Sequence, residues 1–181
     1  MKKILLVLIS LLFITGCNNS LNTPTKTVED YLSKYQNLDG EVTSQLDRVI
    51  SSDTSMSDDN KKDYKELMLN QYKNLSYKVV DENINDDEAE VEVEIEVLDY
   101  ASSIGESRVY YRNHLDEFEA DVDDDMDNLK SFIEYKIKNM KSVSNTRKDT
   151  VTFFLNKVDN EWVLEDLSDN DIKKLHGIYE G

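Results

Sequence analysis

Apolar residues recur at helical spacing through the first third of the chain: Val28, Tyr31, Leu32 and Tyr35, then Val42, Leu46, Val49 and Ile50. Two amphipathic helices are predicted, with Thr25 or Thr27 as N-cap of the first and Asp39-Gly40 as the break between them. "SSDTSMSDDN" (51–60) reads as a loop. Helical periodicity then resumes with Tyr64, Leu67, Met68, Gln71, Tyr72 and Leu75.

At residue 76 the period changes to two. "SYKVVDENI" (76–84) and "AEVEVEIEVLDY" (89–100) alternate as half-buried strands do, joined by the turn "NDDE". If Val79 faces Val93 and Tyr77 faces Ile95, all four share one surface and Lys78 falls opposite Glu94 on the other. An antiparallel hairpin with one apolar and one polar face results. From 104 to 141 the helical period returns in Tyr111, Leu115 and Phe118, then in Leu129, Phe132, Ile133, Ile137 and Met140. Between these sets "EADVDDDMD" (119–127) either breaks or bends the helix.

"KDTVTFFLNKV" (148–158) and "EWVLEDL" (161–167) flank Asp159-Asn160, a two-residue hairpin signal. That turn sets Leu155 against Leu164, with Val151, Phe153 and Trp162 on their side. Ser168 caps a last helix, "DNDIKKLHGIY", and Gly177 stops it. Helices, hairpin, helices, hairpin, helix, without βαβ alternation, is an α+β order with an antiparallel sheet of about four strands. The apolar face carries Val79, Val91, Val93, Ile95, Val97, Val151, Phe153, Leu155 and Leu164.

Charge narrows the function classes. Acids outnumber bases 38 to 21, for a formal net charge of −17. Nucleic acid is therefore excluded as a partner, since it is held through basic patches. Cys17 is the only cysteine, so no disulfide forms within the chain and stability rests on a packed core. Lys2 and Lys3 precede an apolar run from Ile4 to Phe13 that is too short to span a bilayer, as in a signal peptide.

Ile14-Thr15-Gly16-Cys17 follows that run and resembles the lipobox of bacterial lipoproteins. The resemblance implies cleavage before Cys17 and diacylglycerol on its thiol. The implied products are a signal peptide at 1–16, a lipidated cysteine with a polar tether at 17–26, and a single α+β domain at 27–181 with an acidic helical insertion at about 101–145. Two acyl chains, palmitate being typical, anchor a protein stably where one does not. The implied location is the extracytoplasmic face of the cell membrane.

"TPTKTVEDYLSKYQNLD" and "TVTFFLNKVDNEWVLEDLS" resemble small Gram-positive lipoproteins of the nuclear transport factor 2-like (cystatin-like) superfamily. The match is best over 148–179 and absent through the acidic insertion. It implies a helical opening followed by a curved antiparallel sheet wrapping the helices. The superfamily holds isomerases, dehydratases and non-enzymatic binding modules, so the fold alone names no activity.

Three residue groups invite chemistry. Counted from Asp123, the acidic block places Asp123, Asp125, Asp127, Ser131 and Glu134 at EF-hand positions 1, 3, 5, 9 and 12, all oxygen ligands suited to Ca²⁺. Against this, Asn128 stands where the loop needs glycine and Lys130 where it packs an aliphatic residue. A helix stripe with acids near its start accounts for the same residues without exceptions. The ladder Glu90, Glu92, Glu94 and Glu96 cannot hold an ion by itself, since neighbours on one strand face lie about 6.8 Å apart. It reads as a solvated outer face. His114 and His176 lie at helical positions without a Ser, Cys or ligand pattern, and Tyr31, Tyr35, Tyr64, Tyr72 and Tyr77 read as core or groove residues with phenols outward.

The expectation is a lipid-anchored extracytoplasmic lipoprotein, non-catalytic, that binds a cell-envelope protein or small ligand and needs no cofactor. The alternative is a small-molecule binder or isomerase-like enzyme with its pocket between sheet and helices. A third reading is calcium binding through 123–134.

Overall fold

The computed structural model describes residues 22–120, 125–126 and 129–180. Helices α1 (Pro24–Gln36), α2 (Gly40–Ser52) and α3 (Asp58–Asn74) lead into the hairpin β1 (Ser76–Asn85) and β2 (Glu88–Leu98). Helix α4 (Tyr100–Asn113), a 3-10 turn (Leu115–Phe118) and α5 (Lys130–Met140) follow. The hairpin β3 (Thr146–Val158) and β4 (Glu161–Leu164) and a short α6 (Asp169–Leu175) complete the α+β order. The sheet is antiparallel in the order β1-β2-β3-β4, open and uncurled rather than curved as the resemblance implied.

Alternation in β2 fixes which face is covered. Val91, Val93 and Ile95 are fully buried and Val97 nearly so, while the glutamates between them stay partly exposed. Helices α1 and α3 lie against the apolar side of β2, and α6 meets β2 and β3. Val28 and Leu32 of α1, Met68 of α3 and Phe153 of β3 fill the interface completely. The pocket expected there under the alternative reading is thus occupied by side chains. Close packing makes each of them matter: truncating such a residue to alanine costs about 2–5 kcal/mol.

The expected register holds at Val79↔Val93, Tyr77↔Ile95, Lys78↔Glu94 and Leu155↔Leu164. On the outer face Glu94 accepts from Lys148 at 2.7 Å and Glu96 from Thr146 at 2.6 Å. Lysine and hydroxyl partners on the next strand therefore dilute the repulsion along the ladder. A bulge between Val79 and Asp81 breaks the alternation in β1. It brings Glu82 opposite Val91, on the side where its carboxylate accepts from the Thr25 backbone N–H at 2.9 Å and from its hydroxyl at 2.6 Å. Helix α1 has no acid in its own first turn, so β1 supplies one.

Several boundaries differ from the pattern. Thr23, not Thr25 or Thr27, caps α1, because Pro24 is already a helical residue and fits the first turn without an N–H to satisfy. The helix thereby takes in residues 24–26, which composition assigns to the tether. Val49 is 62% exposed and leaves the α2 stripe, which rests on Val42, Leu46 and Ile50. Helix α2 runs on to Ser52 and α3 starts at Asp58, shortening the loop on both sides. Strand β2 stops at Leu98, where Asp99 accepts from Ser102 N–H and caps α4. Asp159 and Asn160, both at positive φ, make the tight turn before β4, which ends at Leu164.

Helices α4 and α5 are separate and pack on each other. Ile104, Ile133, Ile137 and Met140 join the main core, while Tyr111, Phe118 and Phe132 form a second cluster. Between the sheet and α4 sits a polar joint. The fully buried side chain of Gln71 accepts from Leu98 N–H at 2.9 Å and donates to Leu98 C=O at 3.3 Å. Gly177 lies against the same peptide with φ +68, and its carbonyl accepts from Ala101 N–H at 2.7 Å.

A Cβ on Gly177 would lie 2.1 Å from the Leu98 oxygen and 2.4 Å from the Gln71 amide nitrogen. Gly177→Ala is expected to lose at least about 3 kcal/mol of stability, or not to fold, combining a clash with a left-handed backbone. Gly105 lies in α4, and a Cβ added there would meet nothing within 4 Å. Gly105→Ala is therefore expected to be neutral or to gain about 0.5–1 kcal/mol. Urea unfolding of both variants checks this, and equal losses would contradict it.

Candidate functional site

One concavity of the described residues lies beside the sheet, not beneath it. A cleft of about 380 Å³ opens between α4, α5 and the chain around α6. Helical spacing explains the lining. Ile104 and Arg108 stand four apart on one face of α4, Ile137 and Met140 three apart on α5, and Asn170 and Lys173 three apart on α6. Met56 and Tyr64 close the floor from the α3 side. Burial raises the pKa of the Tyr64 phenol, and Asp53 adds to the shift.

Among the described lining residues of the cleft, basic side chains outnumber acidic ones. Arg108, Lys136 and Lys173 line it, and Glu180 is the one acid among its described lining residues. Arg108 Nη1 donates to both carboxylate oxygens of Glu180. Lys136 Nζ also stands 5.6 Å from the Phe132 ring centroid. The segment bearing Glu180 is fixed upstream, where Arg147 donates to the Tyr179 carbonyl at 3.0 Å and Lys174 covers the Tyr179 ring at 5.5 Å. Cations beside an apolar floor can help to bind and orient an anion.

A second polar arrangement lies half-buried against the core. Tyr31 and Tyr35 share a hydroxyl–hydroxyl hydrogen bond of 3.0 Å, the Tyr35 and Tyr72 rings meet edge-on at 5.0 Å, and the Tyr72 hydroxyl lies 2.9 Å from His176 Nε2. These phenols point at each other and at His176, not outward as expected, because only mutual bonding satisfies hydroxyls placed under the sheet. Burial raises the pKa of Tyr31, Tyr35 and Tyr72. Burial also lowers that of His176 to about 4. Among the described residues the His176 ring is bonded to the Tyr72 hydroxyl.

The residues singled out from sequence are scattered. His114 ends α4, with Nδ1 2.8 Å from the Tyr110 carbonyl and its ring stacked on Tyr110 at 4.0 Å. Asp125 and Glu134 are exposed, and the Ser131 hydroxyl donates to the Phe118 carbonyl at 3.1 Å. Cys17, Asp123 and Asp127 lie outside the described residues. Among the described residues, no group of three or more His, Cys, Asp or Glu side chains is placed to hold a metal ion. The cleft has no sequence motif. Of the bases that cluster over 130–148, Lys136 alone is among its lining residues.

His176 gives a pH dependence with a definite sign. Its folded pKa of about 4 lies below the ordinary 6.5, so the unfolded chain binds the extra proton. The contribution of the neutral imidazole is complete above about pH 6.5 and is lost as pH falls toward 4. Between pH 7 and 5 the wild type should therefore lose up to about 2 kcal/mol more than His176→Gln. Paired urea titrations at the two pH values measure this, and parallel losses would contradict it.

No protein-family model matches the chain, and no curated protein matches it. Among solved structures it is similar to the crystal structure of a "putative lipoprotein (ycdA)" from Bacillus subtilis, at 18% identity and a TM-score of 0.39. That similarity covers 86% of this chain and 46% of the other, so the chain spans about half the length of that protein. A likeness at this level assigns neither a fold family nor an activity.

Proposed function

We propose that the chain is a lipoprotein held at the extracytoplasmic face of the cell membrane through Cys17, with its domain serving as a non-catalytic binding module. The observation that carries the anchoring is the order of residues at the N-terminus: two lysines, an apolar run, then Ile14-Thr15-Gly16-Cys17. None of the described helices is long and apolar enough to cross a membrane, so anchoring by that cysteine has no competitor among them. The cleft lined by Arg108, Lys136 and Lys173 is the binding site in this reading, and a small ligand or a cell-envelope protein its occupant.

The non-catalytic reading is supported by how the two histidines are engaged. One bonds a helix-end carbonyl and the other is enclosed beside Tyr72. The filled interface of α1 and α3 with the sheet favours the lateral cleft over a pocket beneath the sheet. Membership of the cystatin-like superfamily belongs to the same proposal, supported by α1 packed on the sheet and by Trp162 buried in the last hairpin.

Cells fed radiolabelled palmitate should label the wild-type chain and not Cys17→Ala. The unfolding midpoint of the domain should not change, since Cys17 precedes α1. A Cys17→Ala chain that still took up label would overturn the anchoring.

A further inference from the structure

We propose that the outer face of the sheet, at its β3–β4 end, docks a cationic polypeptide segment that presents an apolar side chain between basic ones. Phe154, Val158 and Val163 are 51%, 53% and 48% exposed. Scattered singly, such residues would need no explanation, but the ladder sets these three together. Phe154 and Val158 flank Asn156 on one face by the period of two, and Val163 pairs with Asn156 from β4. Phe153 and Leu155, which alternate with them, are buried toward the helices, so the cluster lies on the opposite face. None of its members lines the cleft, and this surface is separate from that site.

Charge decides what covers the cluster. Glu90 pairs with Phe154 and Glu88 with Asn156 from β2, and Glu161 pairs with Val158 from β4. Glu165 donates its backbone N–H to the Phe154 carbonyl at 2.9 Å, and its carboxylate accepts from the Asn156 side chain at 2.5 Å. The charged positions that the register sets directly beside the cluster are thus all acidic. Lys78 and Lys148 stand on the same face at its other end, opposite Glu94 and Glu96. Lys157 lies on the inner face, 5.5 Å from the Trp162 ring centroid. Carboxylates around an apolar centre complement lysine or arginine side chains that flank an apolar one. A second copy of this face would set glutamate against glutamate, and an anionic lipid surface would be repelled in the same way. The chain's own approach to β4 supplies no cation either: Asn22 accepts from the Trp162 N–H, and residues 17–21 before it carry no base.

The peptide KKLFKK is the probe, with KKSSKK and EELFEE as controls. The full chain, ¹⁵N-labelled and held in phosphatidylcholine nanodiscs, is titrated with each. KKLFKK should shift the amides of 88–92 and 154–165 saturably. KKSSKK should bind at least about fivefold more weakly, and EELFEE should not bind. Phe154→Thr, a change at an exposed strand position, should weaken KKLFKK at least about fivefold and leave KKSSKK unchanged. Glu90→Gln with Glu165→Gln should weaken KKLFKK about three- to tenfold. Glu66→Gln with Glu134→Gln removes the same charge from exposed sites on α3 and α5 and should weaken it less than about twofold. An unchanged Val93 amide shows that each variant folds. Equal affinity for KKLFKK and KKSSKK, shifts spread evenly over the helices, equal losses from the two glutamate pairs, or no saturable shift at millimolar KKLFKK would each overturn the proposal. Shifts of the same amides with protein concentration alone would assign the face to a second copy. Shifts on exchanging phosphatidylcholine for phosphatidylglycerol would assign it to lipid, and either result overturns the proposal as well.

Discussion

The two hydrogen bonds between the Gln71 side chain and the Leu98 peptide hold the parts of this protein in register. Leu98 is the last residue of β2, where the ladder ends and the chain turns into α4. Its peptide is satisfied from the side by a helix residue that is 0% exposed. Leaving both groups unpaired in the core would cost about 1–3 kcal/mol each. Gly177 packs on the same peptide and passes the connection to Ala101 at the start of α4. Helix α3, strand β2, helix α4 and the chain after α6 therefore meet at one point, and the walls of the cleft take their spacing from it.

Much of the sheet was legible in the sequence because its rule is local. One face of β2 is apolar and the other acidic at every step, so a single residue of slip would bury a row of glutamates. Asp159-Asn160 fixed the second hairpin because both residues tolerate the positive φ of a tight turn. The bulge near Val80 was not legible: an inserted residue leaves no mark in a stretch where Val79 and Val80 are both apolar. Gln71 was legible as a position on the α3 stripe but not as a partner of Leu98. The helical period says that it points inward, and nothing local says what it meets.

The candidate site was the least legible part. Its residues come from five segments between Met56 and Glu180, and no spacing joins them. The acidic block and the glutamate ladder drew attention because charge runs are visible in one dimension. The ladder meets Lys148 and Thr146 on the neighbouring strand, and Asp123 and Asp127 of the block lie outside the described residues. What distinguishes the described lining of the cleft is that Arg108, Lys136 and Lys173, far apart in sequence, are brought together by folding.

The joint at Gln71 is tested most directly by amide hydrogen exchange in the full-length Gln71→Met variant, which keeps the length of the side chain and removes both bonds. If the joint organises the cleft, protection falls at Leu98 and also at Ala101, whose N–H bonds to Gly177 and not to Gln71. Loss of protection at Leu98 alone, with Ala101 unchanged, would contradict that account.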